Sequence, residues 1–458
     1  MESKTVAATP VDRSHIALPR VLGLWDIVGL VIGGVIGSGI FLVPKDIAFG
    51  VKAPILIFAV WVVGGLLSYF GAVTFAEMGA AMPQAGGMYI FLREAYGPLI
   101  SFLFGWTLFL VIDSGTIATL AVAFSSNYLP YLVPLNPFGQ KVVAALFILF
   151  LVMVNYVGVR WGANLQNFLT VIKFVALTGI CVVIFIFAKG SAGHFVAPPP
   201  AHMSWPLIGS FGIALVACLW AYKGWESATF SAGETKKPEK NLPLGIFIGI
   251  LVCIFLYIVA NMAYLFAMPA AEIASSKTIA ADAMSKAIGP LAGSIIAFII
   301  LFSIMGAANQ TVLCSPRVYF AMARDGLFFK RIAEAHPKFL TPHLSIIALG
   351  VWALILTLFF KTFERLFEYV VFGEWIFFGL TAAAVIILRK KRPDLPRPYK
   401  TLGYPVTPIF FILGAVFVAM SLLITAFKDN IMGLVIILTG VPAYLLFQRG
   451  QEARLRKM

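Results

Sequence analysis

Charged residues are scarce in this chain: Asp, Glu, Lys and Arg make up 12% of its 458 residues, where a soluble protein carries about 25%. That shortage excludes a water-soluble globular domain. Histidine is rarer still, at five residues, and cysteine numbers four. Cys181, Cys218, Cys253 and Cys314 all fall inside apolar runs, at spacings that match no metal motif. They read as buried packing residues, so no disulfide framework and no disulfide-linked ancillary subunit is expected. His194 and His202 lie in the loop 189–206, stiffened by Pro198-Pro199-Pro200, with no third ligand near. His336 and His343 read as loop residues. No metal and no cofactor is therefore expected. The chain has no GxxxxGK[ST] phosphate loop, which argues against ATP-driven pumping. It has no nucleophile–base pair at membrane depth, which argues against an enzyme. Nor do the first thirty residues read as a cleavable signal peptide: the polar stretch is too long and no small-residue cleavage site follows.

Apolar sequence is what the chain has in abundance, at 60%. A helix crosses a bilayer in about 20 residues, and twelve runs reach a spanning length: 21–49, 54–82, 97–129, 138–157, 163–188, 207–233, 243–268, 288–320, 343–360, 366–388, 405–426 and 430–448. The pattern predicts an all-α integral membrane protein of twelve helices. The net charge of +14 is not spread like a nucleic-acid surface. With an even number of spans, 23 of the 34 Lys and Arg fall on the side of the termini and nine on the other. The bias places both termini in the cytoplasm of a cell (plasma) membrane protein. It makes the basic excess a matter of topology and anionic lipid, with no nucleic-acid partner. The basic loops are 236–241 and 324–336, the second expected to hold a short amphipathic helix.

Two spans carry interruptions. In the first, Ile32-Gly33-Gly34-Val35-Ile36-Gly37-Ser38-Gly39-Ile40-Phe41 puts four glycines in seven positions, each costing about 1 kcal/mol against alanine in a helix interior. Broken backbone at membrane depth persists only where protein or a cavity receives its polar groups. In the sixth, Leu219-Trp220-Ala221-Tyr222-Lys223-Gly224-Trp225-Glu226-Ser227 places a lysine, a glycine and a glutamate together at mid-membrane, which is costly unless they face protein or water. Five spans separate the breaks, so two five-span units would be inverted relative to each other. Such paired breaks mark a transporter's binding site.

Several motifs, in order, resemble the amino acid–polyamine–organocation (APC) transporter superfamily, and within it the bacterial relatives of the L-type amino acid transporters. They are Gly37-Ser38-Gly39-Ile40-Phe41; Phe75-Ala76-Glu77-Met78-Gly79 through Pro83-Gln84-Ala85-Gly86-Gly87-Met88-Tyr89 and Leu92-Arg93-Glu94-Ala95-Tyr96-Gly97-Pro98; Gly233-Glu234-Thr235-Lys236-Lys237-Pro238-Glu239-Lys240-Asn241-Leu242-Pro243; and Ser315-Pro316-Arg317 through Ala321-Met322-Ala323-Arg324-Asp325-Gly326. The resemblance implies a leucine-transporter-like five-plus-five inverted repeat with helices 1 and 6 interrupted and two extra helices. A cytoplasmic tail (1–20) would precede the first repeat (21–188) and the second (207–388). Spans 11–12 (405–448) and a cytoplasmic tail (449–458) would follow.

It also implies a secondary transporter moving amino acids, neutral and small to medium, by alternating access, as an exchanger or proton-linked permease. The alternatives are a cationic amino acid or polyamine exchanger of the same superfamily and, in a different class, a channel. An opened helix suits a zwitterion, because half-helix N-termini offer N–H groups to a carboxylate and C-termini offer carbonyls to an ammonium. Gly37, Ser38 and Gly39 would bind the carboxylate. The carbonyls of Val35, Ile36, Trp220, Ala221 and Lys223 would face the ammonium, with Gly224 permitting close approach and the Trp220 ring closing over the substrate. Lys173, in span 5, matches a lysine that stands in the sodium position of sodium-coupled relatives and would bridge spans 1 and 8. Glu226 matches a proton-sensing acid. Asp113 lies in span 3 where relatives carry a neutral polar residue. Lys223 and Glu226, three apart, would pair if the helix resumes there. Glu374 is intramembrane and has no role from sequence.

Overall fold

The computed structural model describes residues 18–196, 205–276, 278–359, 363–425 and 427–455. Most of the two expected terminal tails, together with Pro198, Pro199, Pro200 and His202, lies outside them. Among the described residues the regular secondary structure is helical, apart from one isolated backbone bridge, Leu22 to Thr235.

The first span is α1 (Leu24–Val35) and α2 (Gly39–Val51), bent by 44° at the three residues between them. α3 (Pro54–Ala81) is the second span, and α4 (Met88–Tyr96) lies between it and the third. Pro54 opens α3 at its first position, where its missing N–H costs nothing.

The third span comprises α5 (Pro98–Thr107), a π-helical stretch Leu108–Ile112, α6 (Asp113–Val122) and a second π stretch Ala123–Tyr128. Then come α7 (Pro137–Val157), α8 (Val159–Phe187) and α9 (Trp205–Ala221), which ends at the second break. A 3-10 helix, Glu226–Glu234, completes that span. The Asn136 side chain caps α7 by accepting from Gly139 N at 2.7 Å.

α10 (Pro238–Ala267) is followed by two short helices that no apolar run announced, α11 (Ala270–Ser275) and α12 (Ile279–Ile288), and then by α13 (Ala292–Cys314) and α14 (Pro316–Arg324). α15 (His343–Phe359), α16 (Phe363–Lys391), α17 (Val406–Thr425) and α18 (Phe427–Leu455) complete the order.

Among the described residues ten helices are long and apolar enough to cross a membrane, and the bent first pair makes eleven. The remaining expected span, the ninth at 343–360, is α15, at 17 residues shorter than the others. Two further expectations are corrected. The 324–336 loop holds only a 3-10 turn, Lys330–Ala333, and the amphipathic helix, α14, ends at Arg324 where the loop begins. His343 is the first residue of α15 rather than part of a loop.

α1 sits at the centre, packed against α8, α10 and α13, so almost all of it is buried. α8 meets it with a polar stripe repeating every third residue. Asn167 donates to Asp26 at 2.6 Å, Thr170 to the Gly29 carbonyl at 2.9 Å and Lys173 to the Gly33 carbonyl at 2.7 Å. In lipid such groups must find partners within the protein, and here they tie span 5 along α1.

Candidate functional site

The two breaks are pressed against each other. Gly224 holds φ at +121°, and a Cβ there would lie 2.6 Å from the Gly34 carbonyl carbon. A Cβ on Gly39 would lie 2.9 Å from the Ala221 Cα. Only glycine at these positions lets the two backbones approach so closely. The Tyr257 hydroxyl of α10 stands between them, 2.7 Å from the Val35 carbonyl oxygen and 3.0 Å from that of Ala221. Ser303 of α13 donates to the Ile36 carbonyl at 3.1 Å, and Gln310 Nε2 to the Gly224 carbonyl at 2.9 Å. Side chains of spans 7 and 8 thus take up carbonyls that the broken helices release.

One cavity opens at this junction. Gly37, Ser38, Gly39, Trp220, Lys223, Gly224, Glu226 and Asp113 line it, all of them singled out in the sequence. Gly34, Thr116, Thr119, Leu120, Ser227 and Gln310 add to its wall. The first turn of α2 begins there with N–H groups that have no intrahelical partner, and no side chain caps them. The Trp220 ring packs over Gly39. Four expected residues, Val35, Ile36, Ala221 and Lys173, do not line the cavity. The first three are buried with their carbonyls turned to Tyr257 and Ser303. Lys173 is buried on the far side of α1, where it bonds Gly33 and touches Gly306 of α13, spanning spans 1 and 8.

The charges arrange themselves differently from the expected Lys223–Glu226 pair. Span 6 resumes as a 3-10 helix, and Lys223 points to span 10, where its Nζ lies 3.0 Å from Glu374 Oε2. Glu226 turns back on the break and accepts from the Gly224 N–H at 2.9 Å and the Ser227 hydroxyl at 3.4 Å. Asp113 Oδ2 is buried with no hydrogen-bond partner among the described residues. Sequence reasoning passed over Tyr257, Ser303 and Gln310. Nothing distinguishes Tyr257 among 14 tyrosines, but the adjacent polar pair Asn309-Gln310 inside an apolar run was a readable signal.

Toward the face that carries the basic loops, polar contacts join the spans to one another. Arg317 grips Glu234 through Nε at 2.6 Å and Nη2 at 3.0 Å, both side chains fully buried, and also donates to the Leu313 carbonyl. The backbone N–H groups of Val21 and Leu22 donate to the Glu234 carbonyl at 2.8 and 2.9 Å, and Lys236 N–H returns to Leu22 O at 2.8 Å. Near the surface, Asp325 receives Arg93 at 2.5 Å and the Tyr89 hydroxyl at 2.7 Å. Burial, and then the neighbouring Asp325 carboxylate, raise the Tyr89 hydroxyl above its ordinary range, so it stays a donor.

A multi-pass helical membrane protein whose two broken spans meet at a cavity lined by polar groups is built as a carrier. No cluster able to hold a metal occurs among the described residues. The chain belongs to the amino acid permease family, whose profile matches residues 22–442, and the resemblance read from its motifs is borne out. It is 34% identical over 436 residues to the serine/threonine exchanger of Bacillus subtilis, covering 93% of this chain and 96% of that one. It is 33% identical to the mouse large neutral amino acids transporter small subunit 2, over 94% of this chain and 81% of that one. To the human b(0,+)-type amino acid transporter 1 it is also 33% identical, with 94% and 88% covered. The family is one of permeases, not enzymes.

Proposed function

We propose that the protein exchanges neutral, small to medium amino acids across the cytoplasmic membrane by alternating access and without sodium. The observation that carries this reading is the meeting of the two broken spans at one cavity, where the uncapped first turn of α2 faces the groups of span 6. Ser38 and Gly39 present donors to the α-carboxylate, while the expected third donor, the Gly37 N–H, is taken by the Val35 carbonyl at 2.8 Å. The carbonyls of Val35, Ile36, Trp220, Ala221 and Lys223 serve the ammonium; those of Ile36 and Ala221 are each held by one side-chain donor and keep a second lone pair, whereas that of Val35 already accepts from Tyr257 and from Gly37. Trp220 closes over the bound substrate. Lys173 stands beside span 1, bonded to the Gly33 carbonyl, in place of a sodium ion. Glu226, fastened to the Gly224 amide, links a charge at the cavity to the shape of the break, and Glu226→Gln is expected to flatten the pH profile of transport.

The five-plus-five division, 21–188 and 207–388, fits the spacing of the breaks. Cytoplasmic termini in a plasma membrane fit the basic bias. The four thiols are buried, which favours operation without a disulfide-linked partner. Counterflow in proteoliposomes tests the function: labelled serine, threonine or alanine should enter faster into vesicles preloaded with unlabelled amino acid. Equal entry into empty vesicles would point to a channel. A second reading, exchange of cationic amino acids or polyamines, is favoured by one observation: three carboxylates, those of Asp113, Glu226 and Glu374, gather around a single ammonium, Lys223.

A further inference from the structure

The wall of the cavity formed by span 3 carries polar atoms that the protein leaves unmatched. Asp113 and Thr119 both line the cavity from α6, and Asp113 Oδ2 and Thr119 Oγ1 are both buried without a hydrogen-bond partner among the described residues. A threonine in a helix ordinarily donates back to the carbonyl four residues earlier. Thr116, one turn away, does so with Ile112 at 2.6 Å, and Thr107 does so with Leu103 at 2.7 Å. Thr119 does not. The π-helical stretch Leu108–Ile112 ends immediately before Asp113, and a second follows α6. Such stretches re-aim the side chains of a helix and recur at functional sites.

The other titratable side chains at this cavity have partners: Lys223 has Glu374, and Glu226 has the Gly224 amide. The Ser315 hydroxyl faces Asp113 without closing a hydrogen bond to Oδ2. A buried acceptor with no donor costs about 1–3 kcal/mol, so Asp113 and Thr119 gain when a donor arrives. On the exchanger reading the amides of Ser38 and Gly39 serve only the part common to all amino acids, which leaves the span 3 wall to meet the side chain.

We propose that Asp113 and Thr119 form a side-chain subsite selecting substrates whose side chain ends in a hydrogen-bond donor, whether hydroxyl, amide or ammonium. This deepens the exchanger reading and rests on it. A site built to pair a donor rejects the isostere that lacks one, because its own polar groups are then left unmatched.

Threonine and valine are nearly isosteric, and they provide the test. Purified full-length protein is reconstituted in proteoliposomes, and counterflow of each labelled amino acid is compared as kcat/KM. The wild-type protein should prefer threonine to valine at least tenfold. Asp113→Ala should reduce the preference for threonine over valine below threefold. Asp113→Asn, which retains an acceptor oxygen, should keep more of the threonine preference than Asp113→Ala. Thr119→Val serves as the second variant if Asp113→Ala fails to elute as a monodisperse peak, and should lower the preference by a few-fold. Competition by serine and asparagine against ornithine distinguishes neutral donors from an ammonium: ornithine competing best in the wild type but not in Asp113→Asn assigns the subsite to a cationic side chain. Equal exchange of threonine and valine by the wild type overturns the proposal while leaving the transporter reading intact, as does a tenfold preference surviving in both Asp113→Ala and Thr119→Val. Absence of counterflow for every amino acid overturns the transporter reading itself.

Discussion

At Gly224 the backbone turns through φ +121° with the Gly34 carbonyl at contact distance. A side chain there meets two obstacles at once, a disfavoured conformation and a neighbouring main chain that cannot yield. Gly224→Ala is expected to lower stability by about 1–3 kcal/mol and to cut exchange at least tenfold. Gly37 differs: an added Cβ would have nothing nearer than the Val35 carbonyl oxygen at 4.0 Å. Gly37→Ala should therefore melt with the wild type in a detergent thermal-shift assay, and an equal loss of stability in both variants would contradict the packing described. Both glycines were visible in the sequence, but which of them bears the contact depends on how the spans cross, which a residue pattern does not encode.

At the scale of elements, the Lys223–Glu374 pair joins the broken sixth span to the tenth. Removing one partner leaves the other buried and uncompensated, typically at a cost of about 3–5 kcal/mol. Lys223→Met and Glu374→Leu are each expected to destabilise by that order, and the double variant to recover most of the loss. A double-mutant cycle measured by thermal unfolding checks this, and simple additivity would show the two residues to be uncoupled. The helices themselves were legible, because a run of apolar residues must satisfy its own backbone in lipid and only a helix does so within one segment. Legibility failed for side-chain pairing across spans. Lys223 and Glu226 sit three apart and pair on an α-helix, but the chain resumes there as 3-10 and sends Lys223 to a residue 151 positions away. The helices Ala270–Ser275 and Ile279–Ile288 went unread because, at six and ten residues, neither reaches a spanning length of apolar sequence.

The whole molecule combines an uneven distribution of Lys and Arg among its loops with a buried lysine, Lys173, beside its central helix. Replacing sodium by choline on both sides of the vesicle membrane should leave the initial exchange rate unchanged, and a several-fold stimulation by sodium would remove Lys173 from the role given to it. Orientation is open to a labelling test that the buried native thiols leave free of background. Lys237→Cys should react only from the cytoplasmic side and Lys141→Cys only from the external side; both positions are exposed.

The short ladder in which Val21 and Leu22 bind the Glu234 carbonyl and Lys236 binds Leu22 has a consequence for motion. It fastens the start of the first span to the end of the sixth, so those two half-helices swing together as one lever or separate by breaking those bonds. Backbone deuterium uptake tells the two apart. If the lever moves whole, the amides of Leu22 and Lys236 stay protected through turnover while the Arg93–Asp325 contact opens; if it splits, they become the earliest reporters of opening at that face.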